Sequence, residues 1–251
     1  MKGTSFQKPL EFKLAVEGES WKQGETLSGT LTVKNHGAEP ADLSGLRTAL
    51  AYANLEDVRT KVPDAFEFQA ATELKPTGQL APQQEETFEW KIQLDRNSPI
   101  TDKSRSLFLL YGQGEAPVKL GQLQLVVVPV TIIQDFLNLM SIDFKFVVKI
   151  LKFNKNAVEA KFTPPSAKEF SAVENLFISF RFDGDQLQLR YLFNIKKLDA
   201  SAGMEMKKDK KEFKQEFIPN QYLLSNGRLN HEKIGPAVQE ILGELGVGSL
   251  L

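Results

Sequence analysis

Two histidines, His36 and His231, are the side chains in this sequence best suited to move protons or ligate a metal near neutral pH. His36 stands in an Asn35-His36-Gly37 turn and His231 beside a helix start, and neither has a neighbour at ligand spacing. Both read as exposed turn residues. Asp183 and Asp185 flank Gly184; calcium would need several further oxygens at fixed offsets, so Asp183-Gly184-Asp185 reads as a tight hairpin turn. Gly112-Gln113-Gly114 lacks the helix and the lysine of a phosphate loop. Cysteine is absent, which removes disulfides, thiol catalysis and Cys-based zinc sites. A hydrolase would need a nucleophile beside a base, or paired carboxylates across a cleft. No motif supplies either, so no catalytic residue, cofactor or metal is expected.

Binding chemistry is better represented. Lys207, Lys208, Lys210 and Lys211 surround Asp209, and their charge suits an acidic partner or an anionic membrane surface. The same run also suits a solvated edge strand or loop, where lysines oppose edge-to-edge association. Trp90 alternates with Phe88 and Ile92 and reads as core, whereas Trp21 lies in a polar stretch. The 31 basic and 32 acidic residues leave a net charge of −1, which offers no global field for nucleic acid.

The bulk composition fits a globular protein, with 41% hydrophobic and 25% charged residues in a length of 251, enough for two domains. The longest apolar run, Leu123 to Ile133, is broken by Gln124, Pro129 and Thr131 and is about half the ~20 residues of a membrane helix. Met1 to Pro9 contain no apolar segment of the signal-peptide kind, and a cytoplasmic location is expected.

The elements that would position these residues are mostly strands. Leu10, Phe12, Leu14 and Val16 alternate with polar neighbours, and Leu27, Gly29, Leu31 and Val33 repeat the pattern. Strands follow over 43–55, 66–74, 87–94, 106–111 and 118–128, seven in about 130 residues, as in a sandwich. Ile132, Ile133, Phe136, Leu137 and Met140 instead recur at helical spacing. Strands resume over 144–153, 157–162, 176–182 and 187–195, the last two joined by the Asp-Gly-Asp turn. Beyond Pro219 the chain reads as helical, with Ile234, Val238, Ile241, Leu242 and Leu245 on one face, Pro236 in the first turn and Gly246 as cap.

Several of these pieces resemble a known family. The run Gly24-Glu25-Thr26-Leu27-Ser28-Gly29-Thr30-Leu31-Thr32-Val33 resembles the "PGE-x-V-x-G-x-V-x-V" signature of the first arrestin-like domain. Ser98-Pro99-Ile100-Thr101 is similar to the "tPiT" turn of that family. In the second half, the 132–144 segment, Val158-Glu159-Ala160-Lys161-Phe162-Thr163-Pro164 and the hairpin from Glu174 to Asp185 resemble the bacterial sporulation-control family in order and spacing. Gln23 and Asp95 stand where that family usually has prolines, and Lys196-Lys197 where it has an arginine pair.

The resemblance singles out Gly24, Gly29, Pro99, Thr101, Asp183, Gly184 and Asp185 as structural residues. It implies an all-β chain of two tandem arrestin-like β-sandwich domains joined by a short linker helix; the C-terminal helical extension is read from the residues alone and has no counterpart in that family. The borders expected are 1–129, 130–203 with its leading helix, and 204–251 for the Lys-rich segment and helical tail, packed on the second domain or extending it. The function implied is a non-enzymatic intracellular adaptor or regulatory scaffold that binds partner proteins. A peripheral membrane-associated trafficking or envelope scaffold is the second reading, resting on the basic run.

Overall fold

Period-two alternation becomes burial along the first strands: Leu10, Phe12, Leu14 and Val16 are buried and the residues between them are not. The computed structural model describes residues 1–76, 78–199 and 205–244. The chain divides into two compact units, Met1–Val128 and Pro129–Leu251. Among the described residues no helix is long and apolar enough to cross a membrane.

The first unit holds β1 (Lys2–Gln7), β2 (Leu10–Val16), β3 (Trp21–Lys22), β4 (Thr26–Asn35), β5 (Ala41–Asp42) and β6 (Leu46–Asn54). A short helix α1 (Leu55–Arg59) precedes β7 (Phe66–Glu73), β8 (Gln79–Leu80), β9 (Glu85–Gln93), β10 (Arg105–Gln113), β11 (Gly121–Gln124) and β12 (Val127–Val128). Two four-stranded antiparallel sheets form, in the orders β1-β2-β4-β9 and β11-β10-β6-β7. Gly29 sits in β4 between Ala15 and Trp90, where a Cβ would collide with the Ala15 carbonyl oxygen and come within 2.9 Å of Trp90 Cζ2. Only glycine lets these two strands and the buried indole share that space.

The residues 118–128 do not form the single strand that their pattern predicts. β11 and β12 are separate, because side chains take the backbone groups between them. The Thr101 hydroxyl donates to the Leu125 carbonyl at 2.9 Å and accepts from the Val127 N–H at 3.0 Å, and Ser106 Oγ also donates to Leu125 O. Released from the sheet, β12 runs parallel to β3. Trp21, adjoining a polar turn in sequence, is buried there.

In the second unit, α2 (Thr131–Ile142) is followed by β13 (Val147–Asn154), β14 (Ala157–Thr163), β15 (Val173–Asp183), β16 (Gln186–Asp199) and β17 (Glu205–Phe217), then α3 (Pro219–Tyr222) and α4 (His231–Leu242). The five strands make one antiparallel sheet in chain order. This corrects the expected second sandwich: its strands form a single sheet, and helices take the place of a facing one. Phe136 of α2 meets Phe180 of β15 edge-on at 5.1 Å, and Gln215 of β17 donates to the Ala237 carbonyl of α4 at 2.8 Å. The apolar stripes of α2 and α4 bury the face that a second sheet would cover.

The Lys-rich segment is an edge strand, one of the two forms that its lysines suit. Phe213 and Phe217 alternate with charged neighbours and pair with Tyr191 and Leu187 of β16. The expected border at 203 lies outside the described residues, as do Leu245 and Gly246. α4 starts at His231, so Pro236 falls inside the helix and not in its first turn.

Asp135 is buried in α2, at 3% exposure, among Ile132, Phe136 and Leu139, whereas Leu137 is only half-buried. Its carboxylate accepts from Arg228 Nε and Nη2, both at 2.7 Å, and from the Leu229 N–H at 3.1 Å. This fork ties α2 to the segment between α3 and α4. Replacing Arg228 with Met leaves a buried carboxylate with one neutral donor and is expected to destabilise the fold, seen as a lower urea midpoint by far-UV circular dichroism.

Candidate functional site

An antiparallel sheet with helices on one side leaves its other side to solvent. In the second unit the inner face carries Phe162, Phe180, Leu187, Tyr191 and Phe193, all buried. The outer face is read from the register. One row across the sheet is Lys214, Arg190, Ser179, Glu159 and Lys152, and the next is Glu212, Leu192, Phe177, Lys161 and Ile150. Further rows hold Lys210 with Asn194 and Asn175, Lys208 with Lys196, and Glu216 with Gln188 and Arg181. The face therefore carries more cations than anions around an apolar pair, Phe177 and Leu192, both half-buried, and Lys161 Nζ lies 5.6 Å from the Phe177 ring centroid.

A groove of 470 Å³ crosses this face, lined by Lys155, Arg181, Arg190 and Lys214 together with Glu159, Glu216 and Leu192. Arg190 donates to Glu212 at 2.6 Å, with Lys214 3.7 Å from the same carboxylate. The hydrogen bond from Arg190 holds the Glu212 carboxyl below the usual carboxylate range, and it raises the guanidinium in turn. Glu159 is paired with Lys152 at 3.2 Å, and Glu174 with Lys208 at 3.4 Å.

The basic run singled out in the sequence lies in β17, an edge of this sheet among the described residues. Lys208 and Lys210 are exposed on the outer face, Lys211 is half-buried on the inner face opposite Phe193, and Lys207 pairs with Lys197 through the backbone. The run is thus divided between two faces, and the groove is built instead from cations on other strands. Arg181, Arg190 and Lys214 were hidden by separation in sequence, but each lies at alternate spacing to an inward apolar residue, a signal that the hairpin register makes usable.

The motif residues collect elsewhere. Gly24, at φ +83°, donates its N–H to Asp95 O at 3.3 Å, and Gln23 Nε2 donates to Ser98 O at 2.5 Å, which brings the Gly24 turn against the Pro99–Thr101 turn. Pro99 is buried. Asp183 pairs with Gln186, leaving Gly184 (φ +54°) and Asp185 as the two-residue loop, and Asp185 O accepts from Tyr222 Oη at 2.8 Å. His36 is exposed, 2.8 Å from Glu11 Oε2, and His231 is exposed at the start of α4. Among the described residues no three His, Cys, Asp or Glu side chains are placed to hold a metal.

The hydrogen bond from His36 lowers the Glu11 carboxyl as Arg190 lowers that of Glu212. Both groups take up protons more readily in the unfolded chain, so their stabilisation is present above the ordinary carboxylate range and is lost as pH falls through the folded values. The melting temperature is expected to drop on acidification below about pH 4.5, and Glu11→Gln with Glu212→Gln should make that drop shallower.

No family model matches this sequence, and none of the curated proteins matches it. Among solved structures it is similar to Spo0M, a sporulation control protein from Bacillus subtilis, with a TM-score of 0.64 and 17% identity over 95% of this chain and 99% of that one. A β-glucosidase from Erythrobacter marinus overlays 50% of this chain and 16% of its own length at TM-score 0.30 and 12% identity. The alkylpurine DNA glycosylase AlkC from Pseudomonas fluorescens overlays 47% of this chain and 30% of its own at 0.28 and 11%. Neither of these two overlaps carries an argument. Over nearly its whole length, this chain has a fold similar to that of the sporulation control protein.

Proposed function

We propose that this protein is a non-catalytic, cytoplasmic regulatory adaptor that binds partner proteins, in the manner of an arrestin-like scaffold. The observation that carries the reading is the uncovered outer face of the second unit's sheet. There half-buried Phe177 and Leu192 share a row with Lys161 and Glu212, and Arg190, Lys214 and Lys210 stand in the adjoining rows. An apolar centre with a charged rim is the anatomy of a protein interface. The fold likeness to a sporulation control protein supports a regulatory role over a metabolic one. Affinity capture from native lysate tests it, comparing the wild-type chain with a Leu192→Glu/Lys210→Glu variant. Proteins enriched by the wild type and reduced at least fivefold with the variant are expected; an identical set from both baits would sink the reading.

Lys208 and Lys210, exposed on the edge strand, favour a second reading, attachment to an anionic membrane surface. Co-sedimentation with phosphatidylserine vesicles, lost in Lys208→Gln/Lys210→Gln, is the expected result if that reading holds.

A further inference from the structure

The groove on the outer face holds positive charge that the protein leaves unneutralised. Lys155 and Arg181 have no acidic partner among the described residues, while Arg190 and Lys214 share the single carboxylate of Glu212. Lys155 and Asn156 form the two-residue turn between β13 and β14, with φ of +50° and +58°. Glycine, asparagine or aspartate usually fill such a turn, and a lysine there accepts a left-handed backbone at some cost. Its position places a cation at the rim of the groove, beyond the reach of Glu159, which Lys152 already holds.

We propose that this groove binds an extended acidic segment of a partner protein. The proposal deepens the adaptor reading and rests on the same face. Arg181 on β15 and Lys214 on β17 stand two strand spacings apart and two residues out of register, about 12 Å, close to the roughly 13 Å between side chains four residues apart on one face of an extended peptide. Carboxylates at every fourth position would therefore meet both cations, and Leu192 offers an apolar contact in the row beside Lys214. A concave floor is reached by a single chain but not by a flat bilayer. Glu159 and Glu216 in the lining oppose a continuous polyanion such as nucleic acid, whereas a peptide with spaced carboxylates avoids them.

The test titrates the full chain into a fluorescein-labelled peptide of three Glu-Ser-Thr-Ser repeats, followed by anisotropy at low salt. Binding is expected. It should weaken at least tenfold when Gln replaces Glu in the peptide and at least tenfold in Arg181→Gln/Lys214→Gln. Lys103→Gln/Lys119→Gln, at exposed lysines of the first unit, should bind as the wild type does, and thermal melts should match for all three proteins. The proposal is overturned by no binding, by equal binding to Arg181→Gln/Lys214→Gln, or by an equal loss in Lys103→Gln/Lys119→Gln. It is also overturned if phosphatidylserine vesicles or an oligonucleotide displace the peptide at a lower charge concentration than the free acidic peptide does. The two readings fail separately. A captured partner indifferent to Arg181→Gln/Lys214→Gln leaves the adaptor role standing without the groove, and peptide binding without differential capture leaves the groove without the adaptor role.

Discussion

A carboxylate buried in an apolar helix must find its donors within the protein, and the second unit is organised around one that does. Asp135 takes two hydrogen bonds from a single guanidinium and one from a backbone N–H, across 93 and 94 positions of sequence. A fork of this kind fixes orientation as well as distance, because two parallel bonds to a planar group tolerate little rotation. It holds the α3–α4 segment against α2, and with it the helices that cover the sheet's inner face. Among the described residues, α2 and α4 are both committed to that one side, and the outer face receives neither.

That arrangement concentrates charge. The chain as a whole is close to neutral, yet the strand period sends alternate residues to opposite faces and so separates what composition averages. Along β17, Lys208, Lys210 and Lys214 go outward while Phe213 and Phe217 go inward. At the opposite edge, β13 exposes Val147 and Ile150, with an irregularity between Val148 and Ile150 beside Lys149. Both edges thus carry features that resist pairing with another sheet, the lysines by repulsion and the irregularity by distorting the ladder. The outer face itself carries no such defence at its centre, where Phe177 and Leu192 lie.

Much of this was legible in the residues. Alternation located β2, β4, β9, β15 and β16, helical spacing located α2, and Asp183-Gly184-Asp185 located the hairpin. The misses share one cause, dependence on partners distant in sequence. Asp135 looks like a flaw in an apolar helix until Arg228 arrives, and Leu125 looks like mid-strand until Thr101 and Ser106 claim its carbonyl. The groove was illegible for the same reason: Lys155, Arg181, Arg190 and Lys214 belong to a turn and three strands, and only the sheet register makes them neighbours. The contiguous lysines that stood out were the ones that strand geometry then split between two faces.

The chain-order arrangement of β13 to β17 has a kinetic side. Each strand pairs with its successor through a short hairpin or a single excursion, so that sheet can grow by closing small loops in turn. The first unit has no such route, since β4 must find β9 and β6 must find β10 across dozens of residues. The two halves of one chain thus have different folding topologies, a largely local meander and a nonlocal pair of sheets. Synthesis from the amino terminus delivers the slower one first, giving its long loops time to close while the rest of the chain is still being made.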